Sequence, residues 1–149
     1  LLKTLKLKNT LWAMILPYIA FRLPVSIMLI RSFFVGISKE MEEAAIIDGA
    51  TLFQIYKTIY LPLSKPIMST VIIMTAYYAW NEFVFATIFV DSSKLRTIPV
   101  GLMTFSDGLM TEWGVVLAGM VIACLPIMIL FIAMQKNFVR GMTAGSVKG

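Results

Sequence analysis

The sequence predicts an all-α integral membrane protein, with three membrane-spanning helices and a polar helix-turn-helix loop between the first two. Three observations carry this. Apolar residues make up 59% of the chain and charged residues only 14%, against about 45–50% and about 25% in soluble domains. The apolar residues gather in runs near 11–34, 67–89 and 114–134, and a bilayer crossing takes about 20 residues of helix. Residues 36–65 interrupt the runs with charge, glycine and helical periodicity.

Residues 1–9 alternate Leu and Lys and suit a membrane interface. The first run, 11–34, contains Pro17, Arg22 and Pro24. Membrane helices tolerate proline where neighbours satisfy the freed backbone groups. A cation near mid-span costs roughly 2.5–3.5 kcal/mol on insertion scales, so Arg22 should face a partner or water.

In the loop, Ser38 is the expected N-cap. Glu40, Glu42 and Glu43 fall in the first turns, where a helix N-terminus favours negative charge. Met41, Ala44 and Ala45 share a face. Gly49 stands where a helix C-terminus wants a left-handed residue. Thr51 and Gln54 have capping-box spacing for a second helix. Leu52, Ile55, Tyr56 and Ile59 form its apolar stripe, and Pro62 is expected to stop it. The pattern reads helix, sharp turn, helix; the bland alternative is a solvated connector.

The second run, 67–89, carries Trp80, Asn81 and Glu82 well inside it. Asn81 suits a bond to a neighbouring helix, worth about 0.6 kcal/mol. Glu82 is ionisable and marks a functional candidate. At about 1.5 Å per residue, Arg22 lies about 17 Å and Glu82 about 11 Å from the outer ends of their spans. The two either pair or face water separately. Residues 91–113 form a second loop, with Pro99 opening a short helix and Asp107-Gly108 making a turn. The third run, 114–134, holds Pro126 as an expected kink and Cys124 as a small core residue. Residues 135–149 are polar and basic without apolar periodicity, and read as a docking tail or a loose one.

The net charge of +5 comes without a basic run. It fits membrane flanks and excludes nucleic acid as the expected partner. One cysteine allows neither a disulfide framework nor a cysteine metal cluster. No histidine is present, which removes the commonest general base and metal ligand. No catalytic, cofactor-binding or metal-ligating residue is assigned. No G-x-x-x-x-G-K-[ST] phosphate loop occurs, so ATP is not expected to be held in that manner. Arg31, Lys39, Lys57, Lys65, Lys136, Arg140 and Lys148 fall on the side of the 36–65 loop. Lys3, Lys6, Lys8, Lys94 and Arg96 fall on the other. This small excess places the loop and the tail in the cytoplasm. Trp12 and Trp113, at span ends on the opposite side, suit an interfacial aromatic belt. Opening on Leu1 without a leader, the chain is expected to be the C-terminal part of a longer protein.

Residues 43–62 read Glu43-Ala44-Ala45, three residues, Gly49, nine residues, Ile59-Tyr60-Leu61-Pro62. This resembles, position for position, the E-A-A, G, I-x-L-P signature of the membrane subunits of binding-protein-dependent ABC importers. Further stretches are similar to the sugar-type, maltose-type branch: Leu16-Pro17-Tyr18-Ile19-Ala20, Leu29-Ile30-Arg31-Ser32-Phe33-Phe34, Ala79-Trp80-Asn81-Glu82-Phe83, Ile98-Pro99-Val100-Gly101-Leu102 and Phe138-Val139-Arg140-Gly141. The likeness covers nearly the whole chain and is strongest in the loop.

The resemblance implies a six-span permease whose last three spans lie here. It implies a coupling helix seated in a cytoplasmic ATPase subunit, a second membrane permease subunit, and a solute-binding protein outside. ATPase coupling falls on Glu43, Ala44, Ala45, Asp48, Gly49, Ile59, Leu61 and Pro62. The pathway falls on Arg22, Asn81 and Glu82, and contact with the binding protein on Pro99, Gly101 and Phe105. The expected function is carbohydrate import across a bacterial or archaeal cell membrane, with no cofactor and no enzyme activity in this chain. The alternatives are a polyol, glycerol phosphate or amino acid as solute, or a truncated membrane protein that binds a partner and moves nothing.

Overall fold

A computed structural model describes residues 3–106 and 111–144, with side chains through residue 135. Its regular elements are helices: α1 (Trp12–Val35), α2 (Lys39–Ile47), α3 (Leu52–Ile55), a π-turn at Tyr56–Tyr60, and α4 (Leu61–Leu63). There follow α5 (Lys65–Trp80), α6 (Val84–Phe89), a 3-10 turn at Ser93–Leu95, α7 (Ile98–Met103) and α8 (Trp113–Ala144). The expected turn at Asp107-Gly108 lies outside the described residues.

Among the described residues, two helices are long and apolar enough to cross a membrane, Trp12–Val35 with mean hydropathy 1.9 and Trp113–Gln135 with 2.9. Both are continuous through their prolines, Pro17 and Pro24 in α1 and Pro126 in α8. Their apolar side chains are largely exposed, as at Phe21, Met28, Val121 and Ile129. Such surface belongs against lipid or further helices.

The second apolar run departs from expectation. Residues 67–89 do not form one helix: α5 ends at Trp80, and α6 begins at Val84. The cause is local chemistry. The Glu82 carboxylate accepts the N–H groups of Phe85 and Ala86, which starts a new helix. The Asn81 amide turns back to the Tyr77 carbonyl, the kind of side-chain bond that competes with helix continuation. A third span arises only if Leu52–Leu63 and Lys65–Trp80, bent by 61°, are taken together. The tail also differs. Helix α8 continues to Ala144, so 135–144 is helical rather than a separate extension.

The chain divides into two compact units. One is Leu1–Leu23 with Met74–Ile132, and the other is Pro24–Ile73 with Ala133–Gly149. The first has its core where Met14 of α1, Ala86 of α6, Val90 just past its end, and Val100 of α7 meet, with Tyr18, Phe83 and Leu95 packed against them. A polar tie closes its rim. Asn9 Oδ1 accepts the N–H groups of Asp91 and Ser92 at 2.6 and 3.3 Å, and Lys8 pairs with Asp91 at 2.6 Å. Gly119 on α8 lets α7 approach, since a Cβ there would run into the Leu102 side chain. In the second unit, Ser64, Ser69 and Thr70 are buried. Each hydroxyl bonds a carbonyl three or four residues back, so none is left unpaired in an apolar setting.

Candidate functional site: a capped knob and a broken helix

The knob belongs to the second unit and is built by local rules. Ser38 Oγ accepts the Glu40 N–H at 3.2 Å and starts α2. At its end, Gly49 has φ +79°. The Gly49 N–H bonds the Ile46 carbonyl and the Ala50 N–H the Ala45 carbonyl, both at 2.9 Å. These two bonds are a Schellman closure. Thr51 then caps α3: its hydroxyl accepts the Gln54 N–H, and Gln54 Oε1 accepts the Thr51 N–H at 2.7 Å. A C-terminal closure and an N-terminal capping box, back to back, fix the turn without a core.

The expected apolar stripe is split: Ile55 is buried and Ile59 half-buried, while Leu52 and Tyr56 are exposed. Ile55 is buried at 2%, whereas Leu52 and Phe53 are 75% and 73% exposed, Tyr56 is exposed and Ile47 reaches 84%. Glu43, Ala44, Asp48 and Gly49 are exposed, and Ala45 is half-buried. The knob therefore presents an apolar tip, Ile47, Leu52 and Phe53, beside a carboxylate edge. Sequence reasoning missed the tip because it assigned Leu52 to the apolar stripe of the second helix and Phe53 to nothing. The usable signal was four large apolar residues, Ile46, Ile47, Leu52 and Phe53, within two positions of the turn.

Pro62 does not end the helix, contrary to expectation. It sits in the first turn of α4, and the wider π-turn just before it makes room for the proline ring. The bend comes at Ser64. The half-buried Ile59 lies in the π-turn and the exposed Leu61 just past it. Tyr60 bridges the elements of this unit. Its hydroxyl donates to Glu42 Oε2 at 2.7 Å, and its ring meets Phe34 of α1 edge-on with centroids 5.7 Å apart.

The broken helix belongs to the first unit. Glu82 is 6% exposed. Oε2 accepts from the Tyr18 hydroxyl at 2.7 Å and the Ala86 N–H at 2.9 Å, and Oε1 accepts from the Phe85 N–H at 2.7 Å. The Thr97 hydroxyl donates to the Glu82 carbonyl at 2.9 Å. Glu82 thus pins α1, α6 and the approach to α7. It does not pair with Arg22, as one sequence-based expectation had it; among the described residues no ion pair joins them. The reason is that Tyr18, one turn from Arg22 on α1, and the α6 backbone already fill the carboxylate. Arg22 lies instead over the Tyr78 ring, 5.2 Å from its centroid. Asn81 is exposed.

A mostly apolar cavity of about 880 Å³ adjoins the break, lined by Trp80, Asn81, Pro99, Met103, Trp113 and Cys124 among others. The Trp80 indole N–H donates to the Ala123 carbonyl at 2.8 Å, joining two residues of its lining. Cys124 is exposed on this wall, not a core residue. Pro99 stands in the first turn of α7; Gly101 is half-buried in α7, and Phe105 is exposed beyond it.

Residues 2–144 match the family described as "Binding-protein-dependent transport system inner membrane component". The chain is 58% identical over 149 residues to the "Probable ABC transporter permease protein YurM" of Bacillus subtilis (strain 168), covering 100% of this chain and 50% of the relative. It is 41% identical over 143 residues to the trehalose/maltose transport system permease protein MalG of Thermococcus litoralis, covering 95% of this chain and 51% of the relative. It is 37% identical over 145 residues to the arabinooligosaccharides transport system permease protein AraQ of Halalkalibacterium halodurans, covering 97% and 51%. The chain spans about half the length of the curated relatives it matches.

Proposed function

The chain belongs to the inner membrane components of binding-protein-dependent transport systems, cell-membrane transport subunits rather than enzymes, and from that premise we propose that it is part of a carbohydrate importer's permease, driven by a separate ATPase through the α2–α3 knob. The observation that carries the coupling role is the exposed apolar tip, Ile47, Leu52 and Phe53, on a turn closed by its own backbone. Large apolar side chains on a rigid protrusion are suited to a partner's cleft rather than to water. Glu43 and Asp48 beside the tip favour a cationic rim on that cleft.

The route inward follows contacts within the second unit. A push on the tip moves α2, and the Glu42–Tyr60 bond carries it to the π-turn. The Tyr60–Phe34 ring contact carries it to α1. The knob faces the cytoplasm in this reading, and a solute-binding protein meets the segment holding Pro99, Gly101 and Phe105 on the other side. The carbohydrate assignment is supported by the relatives named for trehalose/maltose and arabinooligosaccharide transport.

The test is co-purification of the ATPase with the complete permease, alongside solute-stimulated ATP hydrolysis. Phe53→Asp and Glu43→Lys are each expected to lower both, with external solute binding intact. Full association and full hydrolysis in both variants would make the knob a plain connector.

A further inference from the structure

Arg22 sits well inside α1, a 24-residue apolar helix, about 15 Å from the Trp12 end at 1.5 Å per residue. The Tyr78 ring takes one face of its guanidinium. That contact uses the π cloud and leaves the N–H fork unspent. Nε is buried and has no hydrogen-bond partner among the described residues, and no ion pair there reaches Arg22. The buried acid of this unit among the described residues, Glu82, is committed to Tyr18, Phe85 and Ala86. A cation with open donors at this depth is costly without an acceptor.

We propose that Arg22 is the docking point for a carboxylate carried into the membrane by a helix outside the described residues, either in the same protein or in a second membrane subunit. Two arguments select a carboxylate. The planar guanidinium fork matches it in a two-bond geometry. A neutral carbonyl would satisfy donors but leave the charge uncompensated at membrane depth. The curated relatives have about as much chain again beyond the matched half, enough to supply further helices. The inference rests on the membrane setting alone and needs no particular solute.

The test uses the complete importer, purified in detergent without solute, and compares Arg22→Met, Arg22→Lys and Arg22→Glu with the parent. Two ratios are read: folded to unfolded permease subunit, and permease assembled with its membrane partner to free permease. Arg22→Met strands a carboxylate, so one ratio falls by about three- to tenfold, the scale of one polar contact between membrane helices. A fall in the first that the charge swap below restores assigns the carboxylate to the same protein, since losing the Tyr78 contact alone also lowers that ratio, and a fall in the second assigns it to the other subunit. Arg22→Lys keeps the charge and recovers part of the loss. Arg22→Glu is restored by changing one intramembrane acid of the neighbouring helices to Arg. The proposal is overturned if Arg22→Met matches or exceeds the parent in both ratios, because removing a lone cation from a membrane stabilises. It is also overturned if both ratios hold and only the KM for a carboxylated solute rises, since the anion then arrives with the solute. None of these readouts depends on the ATPase contact, so failure of the coupling reading leaves this test standing.

Discussion

Replacing Gly49 separates backbone strain from steric exclusion. Gly49 holds φ +79°, and a Cβ built there meets nothing within 4 Å. The cost of a side chain is therefore conformational alone. An L-residue pays about 1–2 kcal/mol in the left-handed region. Asn tolerates that region better, and β-branched residues are true outliers in it. Against the strain stand the two closure bonds, Gly49 N–H to Ile46 and Ala50 N–H to Ala45, each worth about 0.5–1.5 kcal/mol. Gly49→Ala should keep the turn at a cost of about 1–2 kcal/mol. Gly49→Val, with strain of about 2–3 kcal/mol, matches the bonds that hold the turn and should release it. The assay is amide hydrogen exchange at Ala50 together with coupled ATP hydrolysis in the assembled importer. Protection should fall in the order Gly, Asn, Ala, Val, with Ala about 5–30-fold below the parent at 1.4 kcal/mol per tenfold. Parental protection in Gly49→Val, or Asn as damaging as Val, would refute the argument from φ.

Two further outcomes follow from the first unit. Glu82→Ala orphans the Tyr18 hydroxyl and the Phe85 and Ala86 N–H groups, at about 1–3 kcal/mol per buried group, while Glu82→Gln keeps an acceptor oxygen. Thermal inactivation in detergent should rank the parent above Gln and Gln above Ala, and equal loss in both variants would deny the acceptor role. At the rim, the hydrogen bond from Lys8 holds the Asp91 carboxyl below its ordinary range. A lowered folded value stabilises above the ordinary carboxylate pKa and is lost as pH falls through the lowered one. Protection of the Asp91 and Ser92 amides should thus be flat from about pH 6 to 8 and drop in acid. Salt should weaken it, because both charges reach solvent. Loss of protection on the alkaline side instead would remove Asp91 as the cause.

What the sequence made legible was short-range. Ser38, Gly49, Thr51 and Gln54 each act on a backbone group within five residues, and each sits in the geometry its residue type favours. The break at residues 81–83 was hidden because hydropathy averages over a window. One buried carboxylate, compensated by Tyr18 from 64 residues away, barely changes that average. Pro62 misled for a related reason: a rule for α-helix interiors does not anticipate a π-turn that accommodates the ring. The pairing expected of Arg22 with Glu82 rested on depth alone. Depth along a helix says nothing about which side chain reaches the carboxylate first, and Tyr18 does.

The signature residues and the exposed tip divide the work of the knob. Ala45 and Gly49 supply the closure, through the Ala45 carbonyl and the positive φ of Gly49. Ile59, Leu61 and Pro62 occupy the π-turn and the short helix before the bend at Ser64. None of these five is among the large apolar side chains projecting at the turn. Those are Ile47, Leu52 and Phe53, at positions the signature leaves open. Tyr60 is an open position too, and Glu42, which it bonds to tie α2 to the π-turn, stands just ahead of the pattern. A fixed pattern therefore specifies the shape, and the residues around it supply the surface and the strut. That division explains why the pattern predicts helix, turn, helix, while the side chains projecting at the turn had to be read from exposure.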